Sequence, residues 1–229
     1  MVEGEKLVGA VLASSIPVQA VYVGPGGEGP AARAAGESGV PVQRLAPGVA
    51  ERVATTVNPQ PVVAVATRPG STLGGLRDAT LVVVCVDVRD PGNLGAVVRS
   101  ARAAGVGAVI CCDGCADAWS PKAVRASAGA LFHVQLVAGG APVSMLEELG
   151  SWGMRRLGAR ASGGTAHTRT DLVRPAALVL GNEAHGLSAA VEAALDGVVT
   201  IPMAGGVESL NVGAAAAVLC FEAARQRCP

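Results

Sequence analysis

The sequence contains very few aromatic residues. Phe, Trp and Tyr together make up 2% of the 229 residues, whereas 50% of the chain is hydrophobic. The buried core must therefore be aliphatic, and few rings remain for stacking against nucleic-acid bases. The chain also lacks an excess of either charge, since it has 18 basic and 18 acidic side chains. Because many nucleic-acid binders are basic overall, this balance argues mildly against RNA as a partner.

Long hydrophobic runs and common phosphate-binding loops are absent too. No apolar run reaches the roughly 18 residues of a membrane span, and residues 1–5 lack the basic start of a signal peptide. We therefore expect a cytoplasmic protein with no membrane partner. The glycine-rich turn of dinucleotide-binding proteins and the Walker loop of nucleotide triphosphatases are also missing.

Cysteine is present but sparse, at positions 85, 111, 112, 115, 220 and 228. Cys112 and Cys115 have the spacing of a metal-binding or redox pair, but no second pair and no histidine lie nearby in sequence. In the alternative interpretation, Cys111 and Cys112 end a buried strand and Cys115 lies in the following loop. We expect no bound metal, and reduced thiols suit the cytoplasm.

One local charge excess is hidden by the neutral sum. Five arginines, at positions 155, 156, 160, 169 and 174, fall within a segment whose only acid is Asp171. The cluster predicts either a solvated surface or a patch that faces RNA.

The chain divides into two predicted α/β modules. Short helical and strand-like segments alternate over residues 1–68, and a segment rich in Gly and Pro at 69–80 is typical of a linker. Residues 81–229 then show near-continuous apolar strands separated by helices, a pattern typical of a parallel sheet covered on both faces. The strands are expected at 81–86, 107–112, 132–137, 155–161, 176–180 and 198–201, and Asn93 is a candidate cap for a helix at 94–104.

Ligands of such sheets bind beyond the carboxyl ends of the strands. Three polar or glycine-rich stretches occupy that position here, at 90–95, 181–186 and 202–211. We expect them to form one composite site.

These stretches resemble the three motifs of the SpoU (TrmH) family of the SPOUT superfamily, which are S-adenosylmethionine-dependent RNA 2′-O-ribose methyltransferases. The matching sequences are DPGNLG at 90–95 with Arg99, LGNEAHG at 180–186, and IPM at 201–203 followed by ESLNV at 208–212. The segments EGxKLV at 3–8 and TVxPQ at 56–60 are similar to the amino-terminal RNA-binding module of rRNA-modifying members. Gly213 departs from the pattern, because many relatives carry serine there, and we interpret it as a packing change.

The resemblance implies a catalytic domain with a deep trefoil knot, a homodimer, and S-adenosylmethionine as the cofactor. It implies a cofactor pocket formed by Leu180, Gly181, Ile201, Met203, Ser209 and Leu210. The implied catalytic residues are Arg99, Asn93, Glu183, Ser209 and Asn211.

Arg99 is the residue implied to meet the target ribose. Because an arginine stays protonated, it is better suited to anchor a phosphate and stabilise a forming alkoxide than to act as a base. The amino-terminal module favours rRNA as the substrate, and a tRNA enzyme of the same family is the alternative. A non-catalytic RNA-binding relative is a weaker alternative, because Asn93, Arg99, Glu183 and Asn211 are all retained.

Overall fold

The chain forms two compact units, Met1–Gly70 and Ser71–Pro229, in a computed structural model that describes residues 1–55 and 58–228. Thr56 and Val57, which belong to the resemblance of the amino-terminal module, lie outside the described residues.

The first unit is a four-stranded sheet with helices. The sheet order is β1-β4-β2-β3, with β4 antiparallel to both β1 and β2, and with β2 parallel to β3. The elements are β1 (Val2–Glu3), α1 (Glu5–Leu12), β2 (Val18–Val23), α2 (Pro30–Glu37), β3 (Val42–Arg44), α3 (Val49–Val53) and β4 (Val62–Ala66). Glu3 is buried, and its carboxylate accepts hydrogen bonds from the backbone N–H groups of Thr55 (3.0 Å) and Gln60 (3.2 Å). This carboxylate therefore ties the segment before β4 to the first strand.

The second unit is built on a seven-stranded sheet in which every pairing is parallel, which confirms the predicted α/β class. The strands are β5 (Leu81–Cys85), β6 (Ala108–Cys111), β7 (Gln135–Ala138), β8 (Arg155–Arg160), β9 (Thr165–Ala166), β10 (Ala176–Leu180) and β11 (Gly197–Thr200). Their order is β7-β6-β5-β10-β8-β11-β9. The two-residue strand β9 was not predicted, because so short a segment shows no alternation. The strand predicted at 132–137 begins later, since Ala130–His133 forms a 3₁₀ turn.

Five helices accompany this sheet: α4 (Pro91–Ala103), α5 (Pro121–Ala126), α6 (Pro142–Ser151), α7 (Ala189–Ala193) and α8 (Val212–Arg227). Helix α4 packs against both α5 and α8. A Cβ atom added to Gly95 would lie 2.5 Å from the carbonyl oxygen of Ala123, and one added to Gly213 would lie 2.9 Å from Cβ of Ala96. Both helix contacts therefore depend on the absence of a side chain.

Within the segment 69–80 that was predicted as a linker, residues 71–80 belong to the second compact unit. Leu73–Leu76 forms a 3₁₀ turn, and Leu76 is buried among core residues of the sheet. Across residues 1–55 and 58–228, no helix combines the length and the hydropathy required to cross a membrane.

Candidate active site

The three polar stretches lie where parallel strands end. The loop that starts α4 follows β5, residues 181–188 follow β10, and residues 201–211 follow β11. Strands β5 and β10 are direct neighbours, and β8 alone separates β10 from β11. The sheet topology therefore brings all three stretches to one edge of the sheet, as expected for a ligand site of this fold class.

Helix α4 is capped by Asp90, which corrects the prediction that Asn93 caps it. The Asp90 carboxylate accepts a hydrogen bond from the Asn93 backbone N–H (2.9 Å), and Pro91 occupies the first helical position. A hydrogen bond from Lys122 Nζ (2.6 Å) and the one from Asn93 hold the pKa of Asp90 below its usual value. Because Asp90 takes the capping role, the side chain of Asn93 is free for other partners.

A chain of side-chain hydrogen bonds joins the three motifs. Asn211 Nδ2 donates to Asn93 Oδ1 (2.9 Å), and Asn93 Nδ2 donates to Glu183 Oε1 (2.8 Å). Asn211 Oδ1 also accepts from the backbone N–H of Gly213 (2.9 Å), so Asn211 caps α8 at the same time. The structure thus brings together three of the five predicted catalytic residues, with Glu183 as the terminal acceptor.

Asn182 is a polar residue at this site that the sequence reasoning missed. Its Nδ2 donates to the Asp87 carbonyl oxygen (2.9 Å), and its Oδ1 accepts from the backbone N–H groups of Ala184 (2.9 Å) and His185 (3.1 Å). Asp87 itself adopts a left-handed conformation with φ 56°. Asn182 therefore fastens the loop that carries Glu183 to the segment that precedes α4, across 95 positions of sequence.

A cavity of about 470 Å³ opens beside this chain of hydrogen bonds. Each of the six predicted cofactor residues lines it: Leu180, Gly181, Ile201, Met203, Ser209 and Leu210. Glu183 lines it as well, whereas Asn93, Asn211 and Arg99 do not. The series of hydrogen-bonded side chains therefore borders the cavity, and of its members only Glu183 lines it.

Gly181 shows why a bare backbone is needed at this wall. A Cβ atom at residue 181 would lie 2.5 Å from the carbonyl carbon of Gly186, because Asn182 and Gly186 exchange two backbone hydrogen bonds in a tight hairpin. The loop closes on itself only with glycine at 181, which leaves peptide groups as the lining there.

Arg99 lies two turns along α4 from Asn93. Its side chain is exposed, and none of the residues 1–55 and 58–228 forms a hydrogen bond or ion pair with its guanidinium. A guanidinium without a protein partner remains available to a phosphate or a developing negative charge.

The cysteines lie where the alternative interpretation expected them: Cys111 ends the buried strand β6, Cys112 follows it and is buried, and Cys115 lies in the loop beyond. Cys115 Sγ donates to the Cys85 carbonyl oxygen (3.2 Å), and burial raises the pKa of Cys112 to about 12 and of Cys115 to about 11. No cluster of three or more potential metal ligands occurs within the part of the chain that the structure describes.

Most side chains of the arginine cluster pair with acidic residues of the second unit. Arg156 forms a two-pronged ion pair with Asp196 (2.8 and 2.7 Å), Arg160 pairs with Glu192, and Arg174 pairs with Asp171. These pairs between surface side chains favour the interpretation as a solvated surface.

The cavity fits an adenosine-type cofactor in size and chemistry. Its volume lies within the roughly 300–1,000 Å³ typical of small-molecule sites. Apolar side chains such as Leu180 and Leu210, the backbone of Gly181, and the polar groups of Glu183 and Ser209 all face it. Such a lining suits a flat, uncharged ring system and leaves polar groups for a ribose and an amino acid.

A parallel sheet with a cavity at its carboxyl edge, bordered by polar loops, defines an α/β domain with a small-molecule site. The chain belongs to the SpoU rRNA methylase family, whose family model matches residues 80–221. Residues 1–71 match a second family, described as RNA 2′-O ribose methyltransferase substrate binding. The family resemblance found in the sequence is thereby confirmed.

Individual relatives extend over most of the chain. The 23S rRNA (guanosine(2553)-2′-O)-methyltransferase RlmP of Bacillus subtilis is 34% identical over 221 residues, covering 96% of this chain and 86% of that protein. The 23S rRNA (uridine(2479)-2′-O)-methyltransferase of Streptomyces viridochromogenes is 35% identical, covering 74% of this chain and 61% of its own length.

Solved structures show the same architecture. The SpoU methyltransferase AviRb from Streptomyces viridochromogenes, in complex with AdoMet, superposes with a TM-score of 0.88 at 30% identity and covers 99% of this chain and 89% of its own. The TrmH/SpoU tRNA-modifying enzyme of A. aeolicus has a TM-score of 0.58 at 28% identity and covers 68% of this chain and 82% of its own.

Proposed function

We propose that this protein transfers a methyl group from S-adenosylmethionine to a ribose 2′-hydroxyl of ribosomal RNA. The observation that carries the proposal is the hydrogen-bonded chain from Asn211 through Asn93 to Glu183, which unites the three motifs beside a cofactor-sized cavity. The names of the similar proteins support the same reaction, and RlmP, which matches 96% of this chain, is named as a 23S rRNA methyltransferase.

The cofactor contacts the cavity lining. Leu180, Ile201, Met203 and Leu210 supply apolar surface for the adenine, while the backbone of Gly181 and the hydroxyl of Ser209 supply hydrogen bonds. When bound, S-adenosylmethionine supplies an electrophilic methyl group on a positively charged sulfur. Metal is not required for this chemistry, because the positively charged sulfur already activates the methyl group and Arg99 supplies the positive charge beside the ribose oxygen.

The remaining residues orient and activate the ribose. A 2′-hydroxyl is a weak nucleophile, so its proton must pass to a base in the site or to water as the new oxygen–carbon bond forms and the carbon–sulfur bond breaks. Arg99 holds the neighbouring phosphate and stabilises the developing alkoxide, a role that a permanent cation can fill. Asn93, which Asn211 holds in place, donates to one oxygen of the Glu183 carboxylate, and Glu183 lines the cavity.

Further properties follow from the family resemblance. Residues 1–68 bind RNA, residues 69–80 link them to the catalytic domain 81–229, and the loops 181–186 and 202–211 thread past each other in a trefoil knot. Both loops line the same cavity, which supports this close passage. The protein acts in the cytoplasm.

The active form is a homodimer that associates through α8. Ala214, Val218 and Phe221 follow one another at helical spacing along the outer face of this helix, and Phe221 is 52% exposed. An exposed phenylalanine within an alanine-rich face is suited to pack against a second copy of the chain.

Methylation mapping tests the proposed function. The protein is incubated with labelled S-adenosylmethionine and with separate pools of unmodified tRNA and 23S rRNA, and ribose methylation is located in the products. We expect label in rRNA at one 2′-oxygen. Label in tRNA alone would identify a tRNA enzyme, and binding of RNA without transfer to either pool would identify a non-catalytic relative.

A further inference from the structure

Most arginines of the second unit have partners within that unit. Acidic side chains, backbone carbonyl groups or the Trp152 ring hold Arg77, Arg89, Arg155, Arg156, Arg160, Arg174, Arg225 and Arg227. By contrast, no residue within 1–55 or 58–228 forms a side-chain hydrogen bond or ion pair with the guanidinium of Arg99, Arg102 or Arg169. Two of these three lie next to each other on α4.

Helix geometry places Arg99 and Arg102 along the side of α4 that faces α5. A Cβ atom at Gly92 would lie 3.5 Å from Lys122 Cε, and one at Gly95 would touch Ala123 of α5. Arg99 follows Gly92 by seven positions and Gly95 by four, and Arg102 follows Gly95 by seven, so all four share this side of the helix. Both arginines are exposed.

The neighbouring helix α5 extends the positive charge. Lys122 and Arg125 are exposed and three positions apart, and neither α4 nor α5 contains an acidic residue. Asp90, which precedes α4, accepts a hydrogen bond from Lys122 (2.6 Å). We call Arg99, Arg102, Lys122 and Arg125 the α4–α5 basic strip.

We propose that the α4–α5 basic strip binds the phosphate backbone of the substrate RNA, with Arg102 contacting a phosphate beyond the one held by Arg99. This rests on the proposed function. Arg99 lies about 9 Å along the axis from Asn93, and Arg102 about 4–5 Å farther, so the strip leads away from the catalytic edge. A chain with no net charge needs such a local concentration of cations to attract a polyanion, and a free guanidinium can grip a phosphate with two hydrogen bonds.

A purely local role for Arg102 makes a different prediction. Arg102 lies in the last turn of α4, where a cation stabilises the helix through its dipole. That role would appear in the melting temperature of the protein and would not change how RNA binding depends on salt.

The experiment compares Arg102→Gln with Arg169→Gln, which removes the same charge from another exposed and unpartnered arginine. Binding of unmodified, transcribed 23S rRNA is measured over a range of salt concentrations, together with kcat, KM and the melting temperature. For Arg102→Gln we expect the slope of log affinity against log salt to fall by about one. We expect KM for RNA to rise roughly threefold or more at about 0.1 M salt with kcat unchanged, and Arg102→Lys to restore most of the affinity.

Equal salt slopes and equal KM values for wild type, Arg102→Gln and Arg169→Gln would contradict the proposal. A lower melting temperature of Arg102→Gln with an unchanged salt slope would contradict it as well. Failure of the proposed function is distinguishable, because in that case the wild-type protein itself would methylate no RNA.

Discussion

Replacing Asn93 with aspartate changes one atom of the hydrogen-bonded chain and leaves its shape intact. The new side chain can still accept from Asn211 Nδ2, but an oxygen now lies where Nδ2 donated to Glu183 at 2.8 Å. A hydrogen bond to a charged group contributes about 1.5–3 kcal/mol. Loss of that bond in the transition state corresponds to a rate reduction of roughly tenfold to a hundredfold. Repulsion between two carboxylates adds to this loss.

Asn93→Ala is the control, because it removes the bond to Glu183 without adding a charge, and it also removes the acceptor for Asn211. Single-turnover methylation at saturating RNA and cofactor should rank the proteins as wild type, then alanine, then aspartate. Lowering the pH should bring the aspartate variant closer to the alanine variant, because one proton shared by two carboxyl groups restores a donor. Rates for both variants within about threefold of wild type would refute the reasoning.

Four further outcomes are expected. Arg99→Ala should reduce methyl transfer by about a hundredfold or more, equivalent to roughly 3 kcal/mol, with unchanged cofactor affinity and melting temperature; a lower melting temperature with normal turnover would instead indicate a structural arginine. Calorimetry should show S-adenosylmethionine binding equally with and without a chelator, and binding that vanished on chelation would revive the Cys112 and Cys115 metal site. The hydrogen bonds from Arg156 lower the pKa of Asp196 to about 2. The ion pair should therefore stabilise the folded protein fully above the pKa of an unfolded Asp, about 3.9, and this contribution should be lost as the pH falls toward 2. Acid denaturation monitored by circular dichroism should therefore show a smaller decrease in stability for Asp196→Asn between these pH values, and an identical decrease would contradict the assignment. Light scattering should give a dimer at micromolar concentration. Phe221→Lys should shift the protein toward monomer without disturbing the core, because Phe221 is exposed, unlike the buried Phe132. An unchanged dimer would exclude the outer face of α8 as the interface.

The layout of the site could be predicted from the sequence, because it depends on local patterns. Apolar strands followed by polar loops indicate a parallel sheet, and its topology alone brings 90–95, 181–186 and 202–211 together. The observed sheet confirmed the α/β class, and the match to the SpoU rRNA methylase family confirmed the family. The assignment of individual catalytic roles stays a prediction.

The side-chain contacts could not be predicted, because they join residues distant in sequence. Both Asp90 and Asn93 are good capping residues, and only the structure shows that the helix begins at Pro91 and leaves Asn93 to bridge two other motifs. The role of Asn182 depends on the carbonyl of Asp87. Asp87 adopts a left-handed conformation that is uncommon in residues other than glycine, so the sequence does not predict it.

The contact between Gly213 and Ala96 has a consequence for how this sequence can diverge. Since a Cβ at 213 would lie 2.9 Å from the Ala96 methyl carbon, a serine there would require α4 to move or position 96 to shrink. Moving α4 would displace Asn93 from both of its partners. Positions 96 and 213 should therefore vary as a pair among homologues, so that a gain in volume at one accompanies a loss at the other.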